Sequence, residues 1–123
     1  MSRFDMAWNQ TLSLLLEGIG YRTRDVDLVV VQHLHGDHIK GLREVSHGEV
    51  LVSRVQWRTL SGPWPELAGL MRRHIELPGL RWRQIELAPI HDPALTPFET
   101  GHDLFSDGSV MLISTPGHTA GSI

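Results

Sequence analysis

The sequence predicts a mixed α/β domain, and three observations support that. Apolar residues recur at helical spacing near the N-terminus. An unbroken apolar, mostly β-branched run from Leu28 to Val31 marks a buried strand. Beyond it, strand-like and helix-like stretches alternate as far as a C-terminal hairpin. With 123 residues there is room for one domain and little for two, so residues 1–123 are read as a single unit.

The elements follow in order. Trp8, Leu12, Leu15, Leu16 and Ile19 share one helical face, and Gly18 and Gly20 supply stop signals, so a helix is expected over 8–19. VDLVVVQ (26–32) follows as a strand expected to be covered on both faces. IKGLREV (39–45) predicts a helical turn or two, and EVLVSR (49–54) a second strand. PELAGLMRRHI (65–75) predicts one helix, with Pro65 in its first turn. RWRQIELAPI (81–90) alternates enough for a strand with Trp82, Ile85 and Leu87 as its apolar members. HDPALTPFETG (91–101) is expected to be irregular. Asp107-Gly108 then marks a hairpin turn between two apolar runs, and the chain finishes with PGHTAGSI.

Composition narrows the function classes. The net charge is −3 and the basic residues are scattered, which gives no footprint for nucleic acid. The sequence contains no cysteine, so a metal would have to be held by imidazole and carboxylate. Residues 1–18 show neither a signal-peptide core nor the length of a membrane span, and a cytoplasmic protein with no membrane partner is expected.

The chemistry is concentrated in HLHGDH, residues 33–38, placed directly after the first strand. Side chains two apart in an extended segment point the same way, so His33 and His35 can aim at one point. Gly36 lets the backbone turn and bring Asp37 and His38 toward the same cavity. Neutral imidazoles beside a carboxylate suit zinc, or iron or manganese in similar sites. A metal-free cluster of satisfied side chains is the plainer alternative, at the cost of desolvating unpaired groups. After the last strand, Pro116-Gly117 presents His118 at a second strand end. Three histidines with a water would form the open arrangement of a catalytic zinc rather than the closed set of a structural one. His47, His74, His91 and His102 have no partner at ligand spacing and read as surface or loop residues. Trp57, Trp64 and Trp82 read as packing residues rather than a ligand platform, and Tyr21 is given no substrate role.

HLHGDH and TPGHTAGS together resemble the metallo-β-lactamase superfamily, and DLFSDGSV leading into TPGHT is most similar to its N-acyl homoserine lactonase branch. That resemblance implies an αββα sandwich with metals at one edge. It implies that His33, His35 and His118 hold the first zinc and that Asp37 and His38 belong to a second. It also implies a hydrolase in which hydroxide generated on the metal attacks the carbonyl of a lactone, thioester or lactam. Asp37 would be the catalytic residue, orienting the water or taking its proton. A thioesterase or a lactamase proper shares the same motif. In such families a shared carboxylate and a further histidine lie downstream of the TPGH histidine, whereas only TAGSI follows here. Strands are also expected before the first helix. The chain is therefore read as a partial domain lacking its N-terminal strands and C-terminal half. That shortfall predicts one tight metal, at most one loose one, and weak or absent hydrolysis by the 123 residues alone. The rival reading is a catalytically inactive zinc-binding remnant. Small-molecule substrate binding and self-association through uncovered strand edges complete the expectations.

Overall fold

The computed structural model describes residues 11–123. Part of the predicted first helix, residues 8–10, lies outside the described residues. Helix α1 spans Leu12–Gly18, with Thr11 as its N-cap. The Glu44 carboxylate accepts from the free backbone N–H groups of Leu12 (3.2 Å) and Ser13 (2.9 Å), so a residue 31 positions away completes the cap. Gly20, at φ +87°, follows the end of the helix. The expected apolar face forms but is not covered: Leu15 is 57% and Ile19 70% exposed, and α1 buries no residue.

Strands β1 (Leu28–Val30), β2 (Glu49–Ser53) and β3 (Arg81–Ile85) form one parallel sheet in the order β1-β2-β3. Parallel neighbours need crossovers, and the helical segments between them supply these. The first crossover holds α2 (Gly36–Ile39) and a 3-10 stretch over Lys40–Val45. The second holds α3 (Arg54–Arg58), 3-10 turns over Thr59–Ser61 and Pro65–Ala68, and α4 (Arg72–Ile75).

Two expectations change here. The strand covered on both faces is β2, where Val50, Leu51, Val52 and Ser53 are all buried; β1 lies at the sheet edge with half-buried residues. An apolar run identifies a parallel strand, but neighbours on both sides decide which strand is central. The helix expected over 65–75 is in two pieces, because Gly69 takes a left-handed conformation (φ +80°) and Leu70 forms an isolated bridge with His35. The core lies where the crossovers cover the sheet, with Val31, Leu34, Ile39, Leu42, Val50, Val52, Leu60, Leu70 and Ile75 packed together.

RWRQIELAPI does not form one strand. It leaves the parallel sheet after Ile85 and enters a second, antiparallel sheet as β4 (Ala88–Pro89), followed by β5 (Thr100–Asp103) and β6 (Met111–Ile113). Pro89 lacks an N–H donor, which fits the short edge position of β4. The predicted hairpin is present as β5–β6. Its connection runs over 104–110, and the Asp103 carboxylate accepts from the N–H of Gly108. Trp57 and Trp82 pack with ring centroids 5.2 Å apart, and Trp82 Nε1 donates to the carbonyl of Ile75. Trp64 is 71% exposed and lies in the loop before the 3-10 turn at Pro65. No helix among the described residues is long and apolar enough to cross a membrane.

Candidate metal centre

The parallel sheet fixes where the chemistry sits. His33 and His35 follow the C-terminal end of β1, the edge of a parallel sheet where ligands ordinarily bind. His35 is the N-cap of α2, so Asp37 and His38 lie in that helix's only turn. The His35 ring packs on Gly69: a Cβ there would stand 3.4 Å from His35 Cδ2.

His118 arrives from a different segment, and a buried polar network holds it. The 115–122 loop closes on itself through the N–H of Thr115 and the carbonyl of Ser122 (2.9 Å). Ser53 Oγ donates to the carbonyl of Gly121 (2.6 Å) while accepting the N–H of Gln56 (3.1 Å). Thr119 Oγ1 donates to the Gln56 carboxamide oxygen (2.7 Å). Ser53 and Gln56 are each 1% exposed. The N–H of Ile123 reaches the carbonyl of Gln32, next to His33. The loop carrying His118 is thus anchored to the end of β2 and to the segment after β1, where the other two histidines begin.

The predicted residues come together in two overlapping groups. His33, His35 and His118 each place one ring nitrogen within 4.8 Å of the others, as do His33, Asp37 and His38 with one ligand atom apiece. His33 belongs to both. His35 Nδ1 and His118 Nε2 lie 2.9 Å apart. The His33 ring centroid is 3.9 Å from that of His38 and 5.0 Å from that of His118. Asp37 and His38 are exposed and 3.6 Å apart.

These donors fit a divalent ion. His33 Nε2 is buried and has no hydrogen-bond partner, a costly orphan unless something electropositive meets it. Nitrogen donors bound at 2.0–2.1 Å around a tetrahedral ion lie about 3.3 Å apart, and the 2.9 Å between His35 Nδ1 and His118 Nε2 is within a few tenths of an ångström of that value. Burial lowers the His33 pKa below its ordinary value, and the neighbouring His38, His35 and His118 reinforce this against the opposing pull of Asp37. His33 is therefore held in the neutral form that can ligate.

The family profile of the metallo-beta-lactamase superfamily matches residues 4–123. The chain belongs to the metallo-beta-lactamase superfamily. This superfamily member is 28% identical over 107 residues to the N-acyl homoserine lactonase AttM of Agrobacterium fabrum, and equally so to that of Azorhizobium caulinodans. The match covers 86% of this chain and 37% of each relative, so the chain spans well under half the length of the curated relatives it matches. Among solved structures, an N-acyl homoserine lactone hydrolase with N-hexanoyl-L-homoserine at its catalytic metal centre is similar at a TM-score of 0.66 and 24% identity. A B. thuringiensis AiiA mutant with bound N-decanoyl-L-homoserine gives the same values. Each comparison covers 96% of this chain and 39% of the solved chain, and shows the shared fold.

Of the remaining histidines, His47 and His91 are exposed as expected, and His102 Nδ1 lies 3.1 Å from the carbonyl of Glu86. His74 is half-buried and lines an open cleft of about 510 Å³ together with His35, Asp37 and His118. Sequence spacing could not reveal this, because His74 is brought there by the fold of 65–75 over His35.

Proposed function

We propose that this chain carries the metal-binding core of a hydrolase acting on a lactone, thioester or lactam, with a lactone first among them. The observation behind this reading is the convergence of His33, His35 and His118 beside an open cleft, with His33 Nε2 buried and unpartnered. The curated relatives are N-acyl homoserine lactonases, which supports a lactone ahead of the other carbonyl substrates.

In this reading His33, His35 and His118 hold the first metal, with zinc as the default for neutral imidazoles. Asp37 and His38 serve a second, looser site. A bound divalent ion supplies an ionisable water near neutral pH and a Lewis acid for the carbonyl oxygen. The chain's own contribution is positional. His35 and His118 present their nitrogens from two segments, the second held to β2 and α3 by the Ser53–Gln56–Thr119 network and to Gln32 through the N–H of Ile123. Asp37, exposed at the cleft, is placed to accept a proton from a water and pass it to the leaving group. No Ser or Cys nucleophile is required.

A second reading is a zinc-binding but inactive remnant. It is favoured by the sharing of His33 between the two groups, which leaves Asp37 and His38 without a third donor of their own among the described residues. Turnover of lactones and thioesters by the zinc-reconstituted chain separates the two. The hydrolase reading expects turnover that Asp37→Asn lowers at least tenfold while the tightly held metal stays. Full metal retention with no turnover of any carbonyl substrate would favour the remnant.

A further inference from the structure

The cleft beside the histidines has a wall that the hydrolytic reading does not use. Besides His35, Asp37 and His118, it is lined by Lys40, Met71, Arg73 and His74. Lys40 comes from the segment after α2, and Arg73 and His74 from α4, so two distant stretches deliver positive charge to one opening. Arg43, on the same 3-10 stretch as Lys40, adds to the field felt by His74.

Among the described residues, Arg24, Arg54, Arg72 and Arg83 each have a carboxylate within 4.0 Å, whereas Lys40, Arg43 and Arg73 have none, as is also true of Arg22, Arg58 and Arg81. The acidic residues of the neighbouring segment, Glu66 and Glu76, are both engaged by Arg72. Asp37 also lines the cleft, but it lies 3.6 Å from His38 and belongs to the metal-binding group. What sets Lys40 and Arg73 apart from the other unpaired cations is that both line the opening that His35 and His118 also line.

Arg73 is also oriented. Its Nε donates to His74 Nε2 at 3.3 Å, and its Nη2 contacts Met71 Sδ at 3.5 Å. Burial, with Arg73, Arg43 and Lys40 nearby, lowers the His74 pKa, which keeps that ring neutral and able to accept. A guanidinium fixed along one edge keeps its other donors for a planar, two-oxygen partner.

We infer that Lys40 and Arg73 form an anion subsite, and that the preferred substrate carries a carboxylate remote from the scissile carbonyl. This rests on the hydrolase reading for its substrate but not for its binding chemistry. Imidazoles and metal would take the reacting carbonyl, and the cationic wall would hold the other end. A cleft of about 510 Å³ is large enough for a small dicarboxylic half-ester or half-thioester.

The test uses two thioesters of one thiol, S-succinyl and S-butyryl, each with a four-carbon acyl chain. For the zinc-reconstituted chain we expect kcat/KM to favour the succinyl compound about tenfold at low salt, with the preference shrinking as ionic strength rises. Arg73→Ala and, independently, Lys40→Gln should each bring the ratio down toward one, whereas Arg22→Ala, a cation outside the cleft, should leave it as it is. Equal turnover of both thioesters, or a ratio insensitive to Arg73 and Lys40, would overturn the inference. If neither thioester is cleaved, the hydrolase reading is decided separately by lactone turnover, and free succinate decides the subsite by NMR titration of the metal-free chain. Saturable binding abolished in Arg73→Ala supports it, and no binding overturns it.

Discussion

Gly121→Ala puts the positioning of His118 to a direct test. An added Cβ would stand 2.3 Å from the backbone N of Gln56 and 2.6 Å from its Cα. Both are main-chain atoms at the start of α3, so neither can rotate away. Restoring ordinary contact requires the loop to back off by about 1 Å. That displacement lengthens the Ser53–Gly121 bond from 2.6 Å and the Thr119–Gln56 bond from 2.7 Å, beyond or to the edge of hydrogen-bond range. Each buried bond contributes about 1 kcal/mol, and overpacking costs about 1–3 kcal/mol. His118 lies three residues away on the same loop, so its nitrogen shifts by a comparable distance against ligand bonds that tolerate only tenths of an ångström. We expect the metal-free melting temperature to fall by roughly 5–15 °C and zinc affinity, measured by chelator competition, to fall at least tenfold. Thr119→Val, which removes the bonds to Gln56 and Ser122 without crowding, should give a smaller loss of affinity, and Thr119→Ser should restore it. Wild-type zinc affinity in a folded Gly121→Ala protein would refute the claim that this network positions His118.

Other consequences are open to simple measurements. The folded His33 pKa lies below its ordinary value, so the unfolded chain takes up the proton first. Stability of the metal-free chain should then be fully present above about pH 6.5 and decline as the pH falls toward the folded value. Melts at pH 7.5 and 5.5 check this, and a rise in melting temperature on acidification would contradict it. Glu44→Gln weakens the acceptor for the first two N–H groups of α1 and should cost about 1 kcal/mol by urea titration, with loss of helical signal. The uncovered Leu15 and Ile19 face of α1 should drive concentration-dependent association in sedimentation runs, and Leu15→Lys with Ile19→Lys should reduce it.

What the sequence could disclose follows the range of each interaction. β2 and β3 were legible because their patterns are local, and so were the Asp107-Gly108 hairpin and the crowding of His33, His35, Asp37 and His38. The pairing of that cluster with His118 was also legible, since two motifs with specific residue types constrained it. Four features escaped. The split of 65–75 depends on Gly69 meeting the His35 ring, which is a tertiary contact. The change of sheet after Ile85 follows from strand neighbours that local alternation does not specify. Ser53 and Gln56 look like an ordinary strand end and helix start, yet their polar atoms are buried against a loop more than sixty residues away. His74 reads from sequence as a surface or loop residue for the same reason, because its place in the cleft belongs to the fold and not to its neighbours in sequence.

Metal content bears most directly on the central claim. The chain would be reconstituted with excess zinc, dialysed exhaustively and analysed by atomic emission, alongside His118→Ala. One zinc per chain in the parent and none in the variant is the predicted result. Zinc absent from the parent, or a variant that holds its ion as well as the parent, would contradict a site built by His33, His35 and His118, and two ions retained per chain would contradict the looser second site.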